Sequence, residues 1–186
     1  MKVVIDVNVW VSALLWGGVP EQVLRLVYEK TVEGYVSVEL LQELDATLRR
    51  AKFQPRLEKR QQTVAGLMAI ATALCPLVPI EDVDIPDLRD SDDAKIVATA
   101  ISANAEVLIT GDQDLLVLQD VQGTRILAPT LVLVLLQLPL CQSQGLGTVL
   151  MPCHAPSGAS PNLSTSGKLC KQILLDDVST ISGPPF

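Results

Sequence analysis

Short apolar strands that alternate with amphipathic helices along residues 1–138 predict an α/β protein with a mostly parallel sheet covered by helices on both faces. A second observation bounds that domain: past Pro139 the chain turns rich in Ser, Gly, Pro and Gln and loses its apolar periodicity. A third is the chemistry available to it, which is carboxylate almost throughout.

The elements follow in order. Lys2–Ile5 is a β-branched run closed by Asp6, the pattern of a buried strand ending in an acid. Pro20 suits the first turn of a helix that Val23, Leu24, Leu26 and Val27 carry to about Lys30. A second strand is expected at Tyr35–Val38, after Gly34, and a helix from about Glu39 to Arg50 with Leu40, Leu41, Leu44 and Leu48 on its apolar face. Pro55 opens one longer helix that ends near Leu74, before Pro76. Residues 79–91, with two prolines and many acids, read as an irregular loop. Ser91 or Asp92 caps the next helix, whose inward face is Ile96, Val97, Ala100 and Ile101. A third strand is expected at Glu106–Thr110, stopped by Gly111. A short helix near Asp114–Leu118, a strand at Arg125–Leu127 and a helix from Pro129 complete the domain. Residues 139–186 read as a mainly disordered tail.

Composition narrows the chemistry. Apolar residues make up 48% and aromatics only 3%, so the core is built from Leu, Val, Ile and Ala. The formal charge of −7 argues at first sight against a nucleic-acid partner, but the charges are segregated. Arg49, Arg50, Lys52, Arg56, Lys59 and Arg60 form a basic cluster with only Glu58 against it, the kind of patch that RNA phosphates require; a solvated helix surface is the plainer reading. The opposite block, Glu81 to Asp93, holds seven acids against Arg89 alone, and would repel nucleic acid or dock a basic partner. The start, MKVVIDVNVW, does not read as a signal peptide, and the longest apolar run, Leu131–Leu136, is far short of the ~20 residues of a membrane helix. The expectation is a reduced, cytoplasmic protein with no membrane segment.

Absences exclude whole mechanisms. The single histidine, His154, lies in the tail, and residues 1–138 hold one cysteine, Cys75. Within the domain no Ser-His or Cys-His nucleophile and no two-histidine ribonuclease site can be assembled, and zinc is disfavoured for want of nitrogen and sulfur ligands. An enzyme here must work through acids. Asp6 ends the first strand and Asp112 follows the third, so both should open into one crevice at the carboxyl ends of the sheet. Asp93 lies in line with the apolar stripe of its helix, where a carboxylate needs a compensating cation. Converging carboxylates with oxygen-only ligands suit Mg²⁺ or Mn²⁺. Glu43 and Asp45 flank the apolar face of their helix on opposite sides, and periodicity does not choose between them. Each acid taken singly could be no more than a turn residue or helix cap.

Four segments then carry a resemblance: VVIDVNVWVSALLWGG at 3–18, SVELLQELDATLRRAKF at 37–53, RDSDDAKIVATAISANAEVLITGDQDLL at 89–116 and TRILAPTLVLVLL at 124–136. In order and spacing the chain resembles the PIN-domain ribonucleases, and among them the toxin components of toxin–antitoxin pairs. The resemblance implies a three-layer α/β/α sandwich and an acidic metal site that hydrolyses RNA. It implies Asp6, Glu43, Asp93 and Asp112 as catalytic acids, Asp6, Asp93, Asp112 and Asp114 as metal ligands, and Asn8 and Thr110 as supports of the metal shell. It also implies an antitoxin partner and a homodimer, for which the apolar last helix is the candidate interface. The chain departs from the family pattern at Val7, where a hydroxyl is usual, at Ala94, and in its apolar last helix and tail. Two other readings compete: a PIN-like module that binds RNA or protein without cutting, and a haloacid-dehalogenase-like phosphohydrolase, whose second Asp is here Asn8.

Overall fold

The computed structural model describes residues 1–80 and 91–137; the acidic segment and the tail expected beyond them lie outside the described residues. Five strands form one sheet in the order β2-β1-β3-β5-β4. β1 (Lys2–Ile5), β2 (Glu33–Tyr35), β3 (Val107–Ile109) and β5 (Thr124–Leu127) run parallel, and only β4 (Asp120–Val121) is antiparallel, to β5. Val3, Val4 and Ile5 of β1 and Val107, Leu108 and Ile109 of β3 are all buried, as central parallel strands covered on both sides must be. The helices are α1 (Val7–Leu15), α2 (Val19–Tyr28), α3 (Val38–Leu48), α4 (Gln54–Arg60), α5 (Val64–Leu74), α6 (Ser91–Ser102), α7 (Gln113–Leu118) and α8 (Pro129–Gln137). They flank the sheet as the outer layers of an α/β/α sandwich: α2 packs on α1 and α8, α3 on α5 and α6, and α6 on β1 and β3.

Several elements depart from the sequence expectation, each for a local reason. The pattern assigned nothing to α1, because Val7, Val9, Trp10, Val11, Ala13, Leu14 and Leu15 are all buried and only Asn8 and Ser12, four residues apart, form its polar side. β2 lies earlier than Tyr35–Val38. Val36 makes an isolated bridge to Leu77, and Ser37 is the N-cap of α3, its hydroxyl accepting the Leu40 N–H at 3.2 Å. The expected single helix from Pro55 to Leu74 is two. Gln61 takes a left-handed φ of 54° and ends α4, and Thr63 caps α5 by accepting the Gly66 N–H at 3.1 Å. The unexpected β4 forms a hairpin with β5 through Gln122 and Gly123, both at positive φ (50° and 88°), as the tight turn requires. Ile96, Val97 and Ala100 are buried as expected, while Ile101 is half-buried against the core.

The chain leaves β1 to build β2 on one side and returns to build β3 on the other. That reversal opens a crevice beyond the carboxyl ends of β1 and β3.

Candidate active site

Asp6 stands at that crevice because it is both the residue after β1 and the N-cap of α1. Its backbone N–H donates to Ile109 O at 2.9 Å, prolonging the β1–β3 pairing, while its carbonyl accepts the Trp10 N–H at 2.9 Å and starts the helix. The side chain is 7% exposed. Oδ1 accepts the Asn8 backbone N–H at 2.9 Å, and Oδ2 accepts the Thr110 hydroxyl at 2.5 Å. Thr110 follows β3 and is fully buried; its oxygen in turn accepts the Asp112 N–H at 3.0 Å. Asp112 repeats the Asp6 device one strand over: it caps α7, with Oδ1 accepting the Asp114 N–H at 2.9 Å. Two strand-to-helix turns of the same design thus sit side by side, joined by the Thr110 hydroxyl.

Burial pushes the Asp6 carboxyl above its ordinary range; the hydrogen bonds from Thr110 and Asn8 oppose this, and the Asp112 charge adds to it. None of these groups is a cation.

Asp6, Asn8, Glu43, Thr47, Arg50, Asp93 and Asp112 line one cleft of about 220 Å³, walled by Val7, Leu40, Ile96 and Leu115. All four acids expected to be catalytic therefore open onto the same space, from β1, α3, α6 and β3. Of Glu43 and Asp45, which the sequence left open, Glu43 lines the cleft, whereas Asp45 pairs outside it with Arg49 at 2.6 Å. The helices bearing Glu43 and Asp93 are tied by Thr99, whose hydroxyl is hydrogen-bonded to that of Ser37 at 3.0 Å in a buried contact. Asp114 lies outside this cleft; it lines a neighbouring depression of about 550 Å³ with Asn8, Ser12, Gln113 and Pro129, to which Asp112 also contributes. Thr47 escaped the sequence reading. It is a buried polar residue one helical turn after Glu43, and that i+4 spacing was the available signal.

The basic cluster disperses. Arg50 alone reaches the cleft. Arg49 is paired with Asp45, and Lys52 sits over the Phe53 ring at 4.8 Å. Arg56 Nε donates to Leu15 O at 2.9 Å and Arg60 Nη1 to Leu14 O at 3.1 Å, so both cover the carboxyl end of α1. Lys59 is exposed.

The donor set of the cleft, oxygen throughout, with a buried carboxylate facing a second one and no cation among the groups acting on it, fits a hard divalent ion. Among the described residues no three acidic, histidine or cysteine side chains are drawn close enough to chelate such an ion as they stand. The fit is therefore one of chemistry and charge.

The acidic cleft lies at the carboxyl ends of a mostly parallel sheet in an α/β domain, and comparison with known proteins gives the family. Residues 2–114 match the PIN domain family model, and the chain belongs to that family. PIN domains are generally nucleases, and they typically use divalent metal ions. The chain is also similar to an uncharacterized protein of Methanocaldococcus jannaschii, 32% identical over 121 residues, which are 64% of this chain and 76% of that protein. No solved structure matches the chain. Family membership displaces the haloacid-dehalogenase-like alternative. Among the described residues, no helix is long and apolar enough to cross a membrane.

Proposed function

We propose that this protein is a metal-dependent endoribonuclease that hydrolyses RNA phosphodiesters, acting in the cytoplasm as the toxin of a type II toxin–antitoxin pair. The observation that carries the nuclease reading is the meeting of Asp6, Glu43, Asp93 and Asp112, from four separate elements, on one cleft with no nitrogen or sulfur ligand. Asp6, Asp93 and Asp112 would hold Mg²⁺ or Mn²⁺, with Asn8 and Thr110 steadying the ligands; Asp114, which the resemblance implied as a further ligand, lines the neighbouring depression and would reach the ion only from there. When bound, the ion supplies Lewis acidity and lowers the pKa of water, so that hydrolysis proceeds at neutral pH. Glu43, which lines the same cleft as Asp6 and Asp112, orients the attacking water and accepts its proton. Arg50 at the rim takes an RNA phosphate and offsets the repulsion between the acids and the backbone. The toxin assignment rests on the order and spacing of the four sequence blocks, and an antitoxin and a second copy of the chain are the partners it entails.

A second reading has an observation of its own. Both carboxylate oxygens of Asp6 already accept protein hydrogen bonds, so this one side chain is held in place without metal, as in a module that binds RNA and does not cut. One assay separates the two. Purified protein is incubated with single-stranded RNA in Mn²⁺ and in EDTA, with Asp6→Asn alongside. Cutting that needs both the metal and Asp6 supports the nuclease. A folded protein that binds RNA and leaves it intact in Mn²⁺ supports the silent module.

A further inference from the structure

Trp16 is half exposed (50%), whereas the other tryptophan of the chain, Trp10, is buried at 2%. Among the described residues Trp16 is the exposed aromatic side chain, since Trp10 and Phe53 are buried and Tyr28 and Tyr35 half-buried. It is also held in place. Trp16 is the C-cap of α1, its N–H donating to Ser12 O at 2.9 Å, and its ring meets Phe53 edge-to-face with centroids 5.6 Å apart. Phe53 is nearly buried, and Lys52 Nζ lies 4.8 Å from the centre of its ring. The 3-10 turn Ala51–Phe53, capped by Arg50, carries this arrangement, and Arg50 itself lines the acidic cleft. One four-residue segment therefore connects the cleft to a rigid aromatic surface with a lysine beside it. The helix between Asp6 and Trp16 spans about 15 Å, a few nucleotides of extended strand.

We propose that Trp16 is a stacking platform for an unpaired base of single-stranded RNA, with Arg50 and Lys52 holding the phosphates that lead from it to the cleft. The inference rests on the RNA-binding part of the function proposed above and is independent of cutting. Single-stranded nucleic acid fits because it offers both a π-face for Trp16 and a backbone charge for Lys52 and Arg50, and a duplex hides its base faces. Stacking on indole tolerates any base, so the platform sets strand state and register more than sequence.

Trp16→Ala and Trp16→Phe would be compared with the unaltered chain in EDTA, which stops metal-dependent cutting. Binding of a short single-stranded RNA of mixed sequence, and of its duplex, would be followed by intrinsic fluorescence and by anisotropy of a labelled strand. Expected is quenching by the single strand that Trp16→Ala abolishes, since buried Trp10 remains unquenched. Affinity should fall about tenfold or more in Trp16→Ala and largely return in Trp16→Phe, with a smaller effect on duplex. A Trp16→Ala protein with an unchanged melt that binds the single strand as tightly as the original overturns the proposal, as does absence of quenching in the original, which would leave Trp16 as a protein-docking residue. RNA that stacks and is not cut in Mn²⁺ would instead sink the nuclease reading alone.

Discussion

The hydroxyl of Thr110 donates to Oδ2 of Asp6 at 2.5 Å across 104 residues of sequence, and Thr110 Oγ1 itself accepts the Asp112 N–H at 3.0 Å. One buried side chain is thus donor to the first strand-end acid and acceptor for the backbone of the other.

Thr110→Val preserves shape and removes both bonds, leaving a carboxylate oxygen and an N–H short of a partner. Stability should fall by about 1–3 kcal/mol, and metal-dependent cutting should fall with it. Thr110→Ser should restore most of each. Urea midpoints and cleavage rates of the three proteins check this; a valine variant indistinguishable from the original would mean that the hydroxyl organises nothing.

Asp6 itself should weaken the metal-free fold at neutral pH. Its carboxyl sits above the ordinary 3.8 chiefly because of burial, so the folded chain holds this proton more tightly than the unfolded chain does. The penalty for ionisation is absent below about the unfolded value, grows as pH rises from there through the raised folded one, and is complete above it. In EDTA, Asp6→Asn should therefore melt higher than the original at pH 7, and the two should converge at acid pH. Equal melting temperatures at pH 7 would contradict this.

The arginines of the basic cluster divide by task. Arg56 and Arg60 cover the Leu15 and Leu14 carbonyls at the end of α1, groups a helix cannot satisfy internally. Replacing both by Ala should cost roughly 1–3 kcal/mol of stability, through lost hydrogen bonds and a favourable charge at the helix C-terminus. Arg50→Ala should leave the melt unchanged, weaken RNA binding and reduce its salt dependence. Thermal melts beside salt titrations of RNA affinity test the division, and the reverse pattern would refute it.

Gly34 and Cys75 form a packing test remote from the cleft. A Cβ at Gly34 would lie 2.5 Å from Cys75 Sγ and 2.9 Å from Val27 Cγ1, so Gly34→Ala should destabilise by about 1–3 kcal/mol. Adding Cys75→Ala removes the nearer clash and should recover part of the loss in a double-mutant cycle. Strict additivity would show that the cost lies elsewhere. Burial also pushes the Cys75 thiol up to about 12, so it should react with thiol reagents at neutral pH only after unfolding.

The domain boundary is testable by truncation after Leu138. A cooperative melt and retained RNA cleavage are expected if residues 1–138 fold alone. Loss of cooperativity would make the tail part of the fold.

Much of this architecture was legible in the residues. Val3–Ile5 and Val107–Ile109 are apolar runs too short for helices and closed by Asp6 and by Thr110–Asp112, which marked both the central strands and the acids at their ends. The helix faces of α3 and α6 were readable from their spacing, because each has a polar side against which the apolar side stands out. Largely buried α1 has only Asn8 and Ser12 on its open side, too little contrast to be read. The break at Gln61 was also invisible, since one left-handed residue leaves no trace in an apolar pattern.

By itself, the sequence determined the α/β class, the exclusion of histidine and cysteine chemistry from the domain, and the set of candidate acids, because these depend on residue type and local period. Tertiary structure decided which of those groups share a space. Only the β1–β3 pairing puts Thr110 on Asp6, and only the seating of α3 turns Glu43 into the cleft and leaves Asp45 to Arg49. It also drew Arg56 and Arg60 out of a cluster that was continuous in the chain and set them on the end of α1. The physical reason is the same in each case. Helical and strand periods fix a side chain's direction relative to its own element, while its partner is fixed by how elements far apart in the chain pack together.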